Sequence, residues 1–215
     1  MYLAPNLKLL LVLCAVVAGL SWGAAIPRAV ALSNCTVTGT DLAIDSEEAD
    51  FLLRINSYRT ENGKAMLSLS TNLNRAAAWM AQDMGQRNYF SHTDSASRDP
   101  SARARACDYP GNAGENIAAG TVRDSGLEAF AAWQASSGHN ANMLNSNYKY
   151  IGIGRAYVPG STYGWYWVTD FGIVNDGTNG EEAPPLTAPT APGYDRAISA
   201  SGNLQLHWTD LATTE

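Results

Sequence analysis

The sequence predicts an α+β domain in which helices come first and an antiparallel hairpin follows. Two observations lead to this prediction. Amphipathic helical segments follow one another between residues 45 and 136, and two segments rich in β-formers then lie on either side of a turn, from Tyr150 to Gly172. The chain of 215 residues, 46% of them hydrophobic, is long enough for one such domain with extra segments at its ends. The helices are expected to cover an antiparallel sheet.

The first helix is predicted to begin at Asp45, whose carboxylate can cap it. Glu48, three residues further on, completes a capping-box pattern. Asn62 and Gly63 are typical of a helix end. The apolar residues between these two signals fall on one helical face: Phe51, Leu52, Ile55 and Tyr58.

Two further helices are predicted from the same periodicity. One lies in "LSLSTNLNRAAAWMAQDMGQRNYF", with Ser70 as its N-cap residue. Its apolar face comprises Leu73, Ala76, Ala77, Met80 and Met84. The other lies in "SGLEAFAAWQAS", and its predicted buried side comprises Leu127, Phe130, Ala131 and Gln134.

The hairpin is predicted from "YIGIGRAYV", the turn "VPGST" and the aromatic strand "YGWYWVTDFG". Alternation along a strand sends about half of its side chains toward the core. Ordinary core packing is therefore favoured for the rings of this strand, over an apolar groove for a lipid or peptide. These rings belong to Trp165, Tyr166, Trp167 and Phe171.

The N-terminal residues have the pattern of a secretory signal. Lys8 precedes an apolar run from Leu9 to Leu20, and the small-residue segments "GAA" and "AVA" follow. Cleavage is predicted after Ala31, with Ala25 as the second choice. Residues 1–31 are therefore the predicted signal peptide, and the protein is expected to be secreted. A retained membrane anchor is the alternative, but a helix over this run is about 18 Å long, against roughly 30 Å of hydrocarbon. No stable membrane span is expected after signal removal.

The remaining chain divides into four predicted segments. Residues 32–44 form an N-terminal segment, and residues 45–175 form the main domain. Residues 176–197 are rich in Pro, Gly and Thr, as is typical of a linker. Residues 198–215 contain two short strands, which resemble the start of a fibronectin-type β module and cannot hold a core alone.

The two cysteines left after signal removal are expected to form one disulfide. Cys14 lies in the signal peptide, which leaves Cys35 and Cys107. A pair of cysteines in an exported chain is most simply one bridge, with two unpaired thiols as the alternative.

Charge and missing motifs exclude several function classes. The net charge is −6 and no dense Lys/Arg block is present, so nucleic acid is not expected as a partner. The sequence has no G-x-S-x-G elbow, and its mature cysteines are expected to be oxidised, which disfavours serine and cysteine nucleophiles. The segment "SRDPSARARACDY", with Arg98, Arg103 and Arg105, is interpreted as a solvated loop rather than an anion-binding patch.

The candidate chemistry lies in one acid and two histidines. Glu115, in "AGENIAAG", borders an apolar run, where a carboxylate is costly to bury without a partner. His92 and His139 lie in polar settings, 23 residues before and 24 residues after Glu115. This spacing matches no local metal motif, so the fold must assemble any joint site. Such a set would suit a divalent metal such as zinc, and a hydrogen-bonded structural cluster is the alternative.

Several segments resemble, in order, the characteristic blocks of the CAP superfamily of cysteine-rich secretory, antigen 5 and pathogenesis-related 1 proteins. The similarity runs from about Asp45 to Gly172, and the secreted bacterial branch is the most similar. The matching segments are "LLRINSYRTENG", "AAAWMAQDMGQRNYFSHT", "GENIA", "AWQASSGHNANMLN" and "YIGIGRAYV…WYWVTDFG".

The resemblance implies a three-layer α-β-α sandwich with a cleft lined by two histidines and two acids. Matched block by block, the histidines are His92 and His139, and the acid of the "GEN" block is Glu115. The second acid has no counterpart, and Ser136 stands near its position. Without the cleft, Glu115 would be interpreted as a turn-capping carboxylate.

The implied function is that of an extracellular binding module for a lipid, a cell-wall component or another protein. The alternative is a metal-assisted hydrolase, in which His92 and His139 are ligands and Glu115 is a ligand or base. The binding module is favoured, because a fold implies less about activity than about structure and because the second acid is missing.

Overall fold

The structure is a computed structural model, which describes residues 35–37 and 43–178 and two short strands at 195–198 and 204–207. The predicted signal peptide and most of the predicted linker lie outside the described residues. Within these ranges, no helix combines the length and the apolar character needed to cross a membrane.

The described chain between residues 43 and 178 folds into helices and strands that include every helix and strand predicted for this part. The helices are α1 Ser46–Glu61, α2 Thr71–Arg87, α3 Pro100–Ala106, α4 Gly126–Ala135 and α5 Ser137–Met143. The strands are β1 Ser68–Leu69, β2 Ala113–Ala119, β3 Tyr150–Tyr157 and β4 Trp165–Gly172. The prediction missed α3, α5, β1 and β2.

Two short strands near the C-terminus form a separate antiparallel sheet. They are β5 Asp195–Ile198 and β6 Leu204–His207, and Asp195 lies opposite His207. The first of them begins before the predicted segment 198–215.

Local signals place the helix ends where the sequence predicts them. Asp45 accepts hydrogen bonds from two backbone amides of α1, and its own amide donates to Glu48 Oε2 at 2.8 Å, which completes the capping box. The helix ends at the cap residue Asn62. Ser70 accepts a hydrogen bond from the Leu73 amide at 3.1 Å and so caps α2. These caps satisfy amides that lack partners within their own helix.

The central sheet has the strand order β1-β3-β4-β2 and is mixed. The strands β2 and β3 both pair with β4 in the antiparallel direction. The short strand β1, in contrast, runs parallel to β3, with Ser68 opposite Tyr150. The prediction of an antiparallel sheet was therefore wrong for this strand. A strand of two residues has no periodicity that could reveal it, and its direction depends on how the chain passes from α1 to α2.

Helices cover both faces of the sheet, which produces the three-layer sandwich. On one face, Phe51 of α1 and Trp133 of α4 meet edge to face, with ring centroids 5.2 Å apart, and pack against Trp167 of β4. On the other face, Met80 and Met84 of α2 pack against β4. β4 is therefore buried on both faces from Tyr166 to Gly172, rather than on one face as the alternation predicted.

The buried side of α4 differs from the prediction. Its buried residues are Gly126, Ala129 and Trp133, whereas Leu127 is 50% exposed. The reason is Trp133, whose indole N–H donates to the Ile117 carbonyl at 3.1 Å. This large side chain, inserted between α4 and the sheet, determines which side of the helix faces inward.

Two glycines of β3 let α2 lie directly on the sheet. A Cβ added at Gly152 would overlap the Leu73 carbonyl group, and one added at Gly154 would overlap the backbone of Ala77 and Ala78. The close contact of helix and strand therefore depends on the missing side chains in "GIG".

The expected disulfide is present. Cys35 and Cys107 are bonded, with their Cα atoms 5.3 Å apart, and they are separated by 72 residues. Cys107 is the C-cap residue of α3, so the bridge ties the N-terminal segment to that helix.

We predict that Gly152→Ala destabilises the domain, because the new methyl group meets helix backbone that cannot rotate away. The expected loss in the free energy of unfolding is about 1–3 kcal/mol. Gly138→Ala is the matched control, since nothing lies within 4 Å of a Cβ at that position of α5. It should be neutral or stabilising by up to about 1 kcal/mol. Urea denaturation measures both variants, and equal midpoints would contradict the packing argument.

Candidate functional site

Glu115 lies on the edge strand β2, and its side chain is only 1% exposed. Both of its carboxylate oxygens are engaged. Oε1 lies 2.7 Å from His92 Nδ1, and Oε2 accepts a hydrogen bond from Nη2 of Arg103. The acid that the sequence places beside an apolar run is thus buried together with a cation and an imidazole, which offset the cost of its burial.

Arg103 is the partner that sequence reasoning missed. It is fully buried on α3, a helix that begins with Asp99 as N-cap and Pro100 in its first turn. Its Nη1 donates to the His92 carbonyl at 3.4 Å and lies 3.8 Å from Asp94 Oδ2. The interpretation of this segment as a solvated loop was wrong, because Pro100–Ala106 form a helix on which Arg103 is buried and Arg105 is exposed. Arg98, just before the helix, is 16% exposed and pairs with Asp94.

A local signal could have revealed this helix. The pair Asp99-Pro100 has the N-cap and N1 pattern of a helix start. Arg103 and Cys107 follow four residues apart, so on a helix they share one face. A disulfide at Cys107 directs that face inward, toward the protein.

Asp94 holds the loop that carries His92. Its carboxylate accepts from the amides of Ala96 and Arg98 at 2.9 Å each, and it pairs with Arg98 Nε at 2.8 Å. This buried acid therefore orders the turn next to His92 and also faces Arg103.

His92 is the exposed member of the group, with 52% of its side chain accessible. The hydrogen bond to Glu115, supported by the charge of that carboxylate, raises the pKa of His92 above its usual value. Partial burial and the charge of Arg103 oppose this rise without reversing it.

His139 belongs to the neighbouring helix α5 and does not bond to the other two residues. The Asn116 side chain donates to the His139 carbonyl at 3.1 Å, and Asn142 donates to Asn116 Oδ1 at 2.9 Å and to the Glu115 carbonyl at 3.2 Å. These amides hold α5 against β2. Among the described contacts, no hydrogen bond joins the His139 ring to Glu115 or His92. Burial, followed by the charge of His92, lowers the pKa of His139.

Ser136 lies at the junction of α4 and α5, where it is the C-cap of one helix and the N-cap of the next. Its hydroxyl makes no capping hydrogen bond to α5. The structure therefore brings His92 and Glu115 together and attaches His139 to the same strand, whereas Ser136 stays at the helix junction.

A second acid, Asp170 of β4, lies directly opposite Glu115 in the sheet and is completely buried. Sequence reasoning missed it because this acid stands in an aromatic strand with no histidine nearby. The signal that could have found it is the lone charge in "WYWVTDFG".

The donor set does not fit a divalent metal. The Glu115 oxygens are occupied by His92 and Arg103, and the guanidinium of Arg103 would repel a cation at that carboxylate. In the part of the chain that the structure describes, no group of three or more His, Cys, Asp or Glu side chains could hold a metal ion.

Comparison with known proteins decides the family. The family model of the cysteine-rich secretory proteins, named CAP, matches residues 52–171, which include His92, Glu115, His139 and Asp170. The chain belongs to the CAP family.

Curated relatives of this CAP chain come from Bacillus subtilis strain 168. The protein YkwD is 31% identical over 128 residues, which cover 59% of the chain and 49% of YkwD. The membrane protein YlbC is 32% identical over 111 residues, which cover 51% of the chain and 31% of YlbC. The chain thus spans half or less of the length of these relatives.

Solved structures support the same fold. An extracellular protein of Bacillus anthracis with an SCP domain is 26% identical, with a TM-score of 0.50, over 57% of the chain and 39% of that protein. An outer surface protein of Borrelia burgdorferi is 22% identical, with a TM-score of 0.54, over 61% of the chain and 97% of that protein. The solved structures with a similar fold thus include an extracellular and an outer-surface protein.

We predict that His92 stays protonated to a higher pH than His139. The Glu115 carboxylate stabilises the imidazolium of His92, whereas burial and the nearby His92 charge disfavour that of His139. An NMR titration of the imidazole resonances measures both pKa values. Glu115→Gln should lower the pKa of His92, and a titration of His139 above His92 would refute the assignment.

We predict that Arg103→Met destabilises the domain by about 3–5 kcal/mol, because it leaves a buried carboxylate without its cation. Arg105→Met is the matched control on the same helix, since Arg105 is exposed. It should change stability by no more than about 0.5 kcal/mol. Chemical denaturation compares the two, and similar losses for both would show that the Arg103 pair is unimportant.

Proposed function

We propose that this CAP domain is an extracellular binding module that takes up a lipid, a cell-wall component or a protein at the edge of β2. The cleft is lined by His92, Glu115 and His139, with Ser136 at the adjoining helix junction. The observation that carries the proposal is the engagement of both Glu115 oxygens, which leaves the half-exposed imidazole of His92 as the group that faces solvent.

The alternative, a metal-assisted hydrolase, has less support from this geometry. A general base must be free to take a proton, and its pKa should lie near the working pH. Both oxygens of the Glu115 carboxylate are instead engaged, one by His92 and the other by the buried guanidinium of Arg103. The donor set also does not fit the metal that such a mechanism would use.

The chemistry of the exposed groups favours a ligand with hydrogen-bond acceptors or negative charge. His92 is the cationic group of the cleft at mildly acidic pH, because Glu115 raises its pKa. Bacterial cell walls carry peptide carboxylates, and anionic lipids carry phosphates. The extracellular bacterial relative makes the wall the first class to test.

The experiment compares the wild type with His92→Ala/His139→Ala for binding to purified peptidoglycan sacculi and to phosphatidylglycerol vesicles. Pelleting of sacculi and flotation of vesicles give the bound fractions. We expect at least tenfold weaker binding of the double variant to one probe. Gln86→Ala, an exposed position in the last turn of α2, serves as the control and should bind like the wild type.

Two results would contradict the binding module. Equal binding of the wild type and the double variant to both probes would show that the cleft does not bind either of them. Chelator-sensitive hydrolysis that is lost in Glu115→Ala would favour the hydrolase instead. A zinc titration of the wild type and the double variant completes the comparison, and equally weak binding by both is expected.

A further inference from the structure

Asp170 is a carboxyl group that the protein buries without a partner. Its exposure is 0%, and neither of its side-chain oxygens accepts a hydrogen bond from any group in the described part of the chain. A buried ionised carboxylate without hydrogen bonds is strongly disfavoured and takes up a proton instead. Apolar packing therefore does not explain why an acid occupies this buried position.

The sheet register places Asp170 next to Glu115. The two residues are directly opposite in the antiparallel pair β2–β4, so their side chains leave the same face of the sheet. On its other side Asp170 is opposite Gly152, over which the backbone of α2 lies at Leu73. The site is thus closed by α2 on one side and bounded by Glu115 on the other.

The guanidiniums of this cluster are already engaged by other carboxylates. Arg98 pairs with Asp94, and the buried Arg103 pairs with Glu115 and lies near Asp94. Arg103 uses its Nη2 for Glu115. An ionised Asp170 would add a third carboxylate to two guanidiniums that are already paired.

We propose that Asp170 is the second acid of this site and that it forms, with Glu115, a pair of one neutral carboxyl group and one carboxylate. The "GH" block of this chain contains no second acid, and here β4 supplies a carboxyl group from a different position. Asp170 acts through Glu115 and is therefore a positioning residue: while neutral, it leaves the Glu115 charge available to Arg103 and His92.

The charges and the burial around Asp170 favour its neutral form. Burial raises the pKa of Asp170 well above its usual value, and the negative charge of Glu115 raises it further. The charge of Arg103 opposes the rise but is already shared with Glu115. Charged groups from other elements also face this cluster: His92 contacts Glu115, and Asp94 lies near Arg103 and pairs with Arg98.

Infrared spectroscopy of the wild-type protein tests the protonation state directly. A protonated carboxyl group absorbs at a C=O frequency distinct from that of a carboxylate, and labelling with ¹³C-aspartate shifts only the bands of aspartate. The labelling separates aspartate from glutamate bands, which matters because burial also raises the pKa of Glu48, to about 8. A label-sensitive protonated band is expected at pH 7, and its absence would overturn the proposal.

Two isosteric variants assign the band and test the coupling. Asp170→Asn should remove the band and leave the pKa of His92 unchanged, because it replaces one neutral group by another. Glu115→Gln should keep the band and lower the pKa of His92. If Asp170→Asn lowers the pKa of His92 as Glu115→Gln does, Asp170 is ionised and the proposal fails. Should Asp170→Asn not fold, the wild-type spectrum still decides.

The pH dependence of stability provides an independent readout. The native state keeps a proton on Asp170 that the unfolded chain releases above about pH 4, so stability falls as the pH rises from there toward the native pKa. Asp170→Asn removes this contribution. The free energy of unfolding of the variant, relative to that of the wild type, should therefore increase as the pH rises. A constant difference at every pH would contradict a neutral Asp170. None of these readouts depends on which ligand the cleft binds.

Discussion

The buried ion pair between Arg103 and Glu115 is the interaction on which the site depends. Removing two charges from water is costly, and the cost is offset only when the charges meet and their remaining hydrogen-bonding groups find partners. Arg103 meets this condition in part: its Nη groups donate to Glu115 and the His92 carbonyl, whereas its buried Nε has no hydrogen-bond partner in the described part of the chain. Glu115 meets it with Arg103 and the His92 ring. The pair thereby fixes α3, the His92 loop and the edge of the sheet to one another.

This polar group lies on a scaffold that is otherwise held by apolar packing. Aromatic rings join α1 and α4 to one face of the sheet, and the glycines of β3 let α2 approach the other face at backbone distance. The edge strand β2 contacts a helix on each of its two faces. Asn116 directs its amide toward α5 on one side of β2, and Glu115 directs its carboxylate toward α3 on the other. The two histidines of the site therefore approach one strand from different layers.

Membership in the CAP family explains the architecture, but the chemistry of this chain depends on its own residues. The charge of the Glu115 carboxylate is offset by the buried Arg103, which leaves the imidazole of His92 as the group that faces solvent. The proposed binding function rests on this arrangement. A neutral Asp170 beside Glu115 would make the site a pair of acids with separate protonation states, as in other proteins where two carboxyl groups share a low-dielectric site.

The sequence alone determined the features that depend on neighbours within a few residues. The capping box of Asp45 and Glu48, the Ser70 cap and the buried faces of α1 and α2 follow from contacts between positions three or four apart, and the ordered CAP blocks predict the three-layer fold. The tertiary structure decided the rest. The parallel strand β1, the orientation of α4, the burial of Arg103 and the register that sets Asp170 beside Glu115 all join positions far apart in the chain. No local pattern encodes such pairs, because they exist only once helices and strands have packed and shut out water.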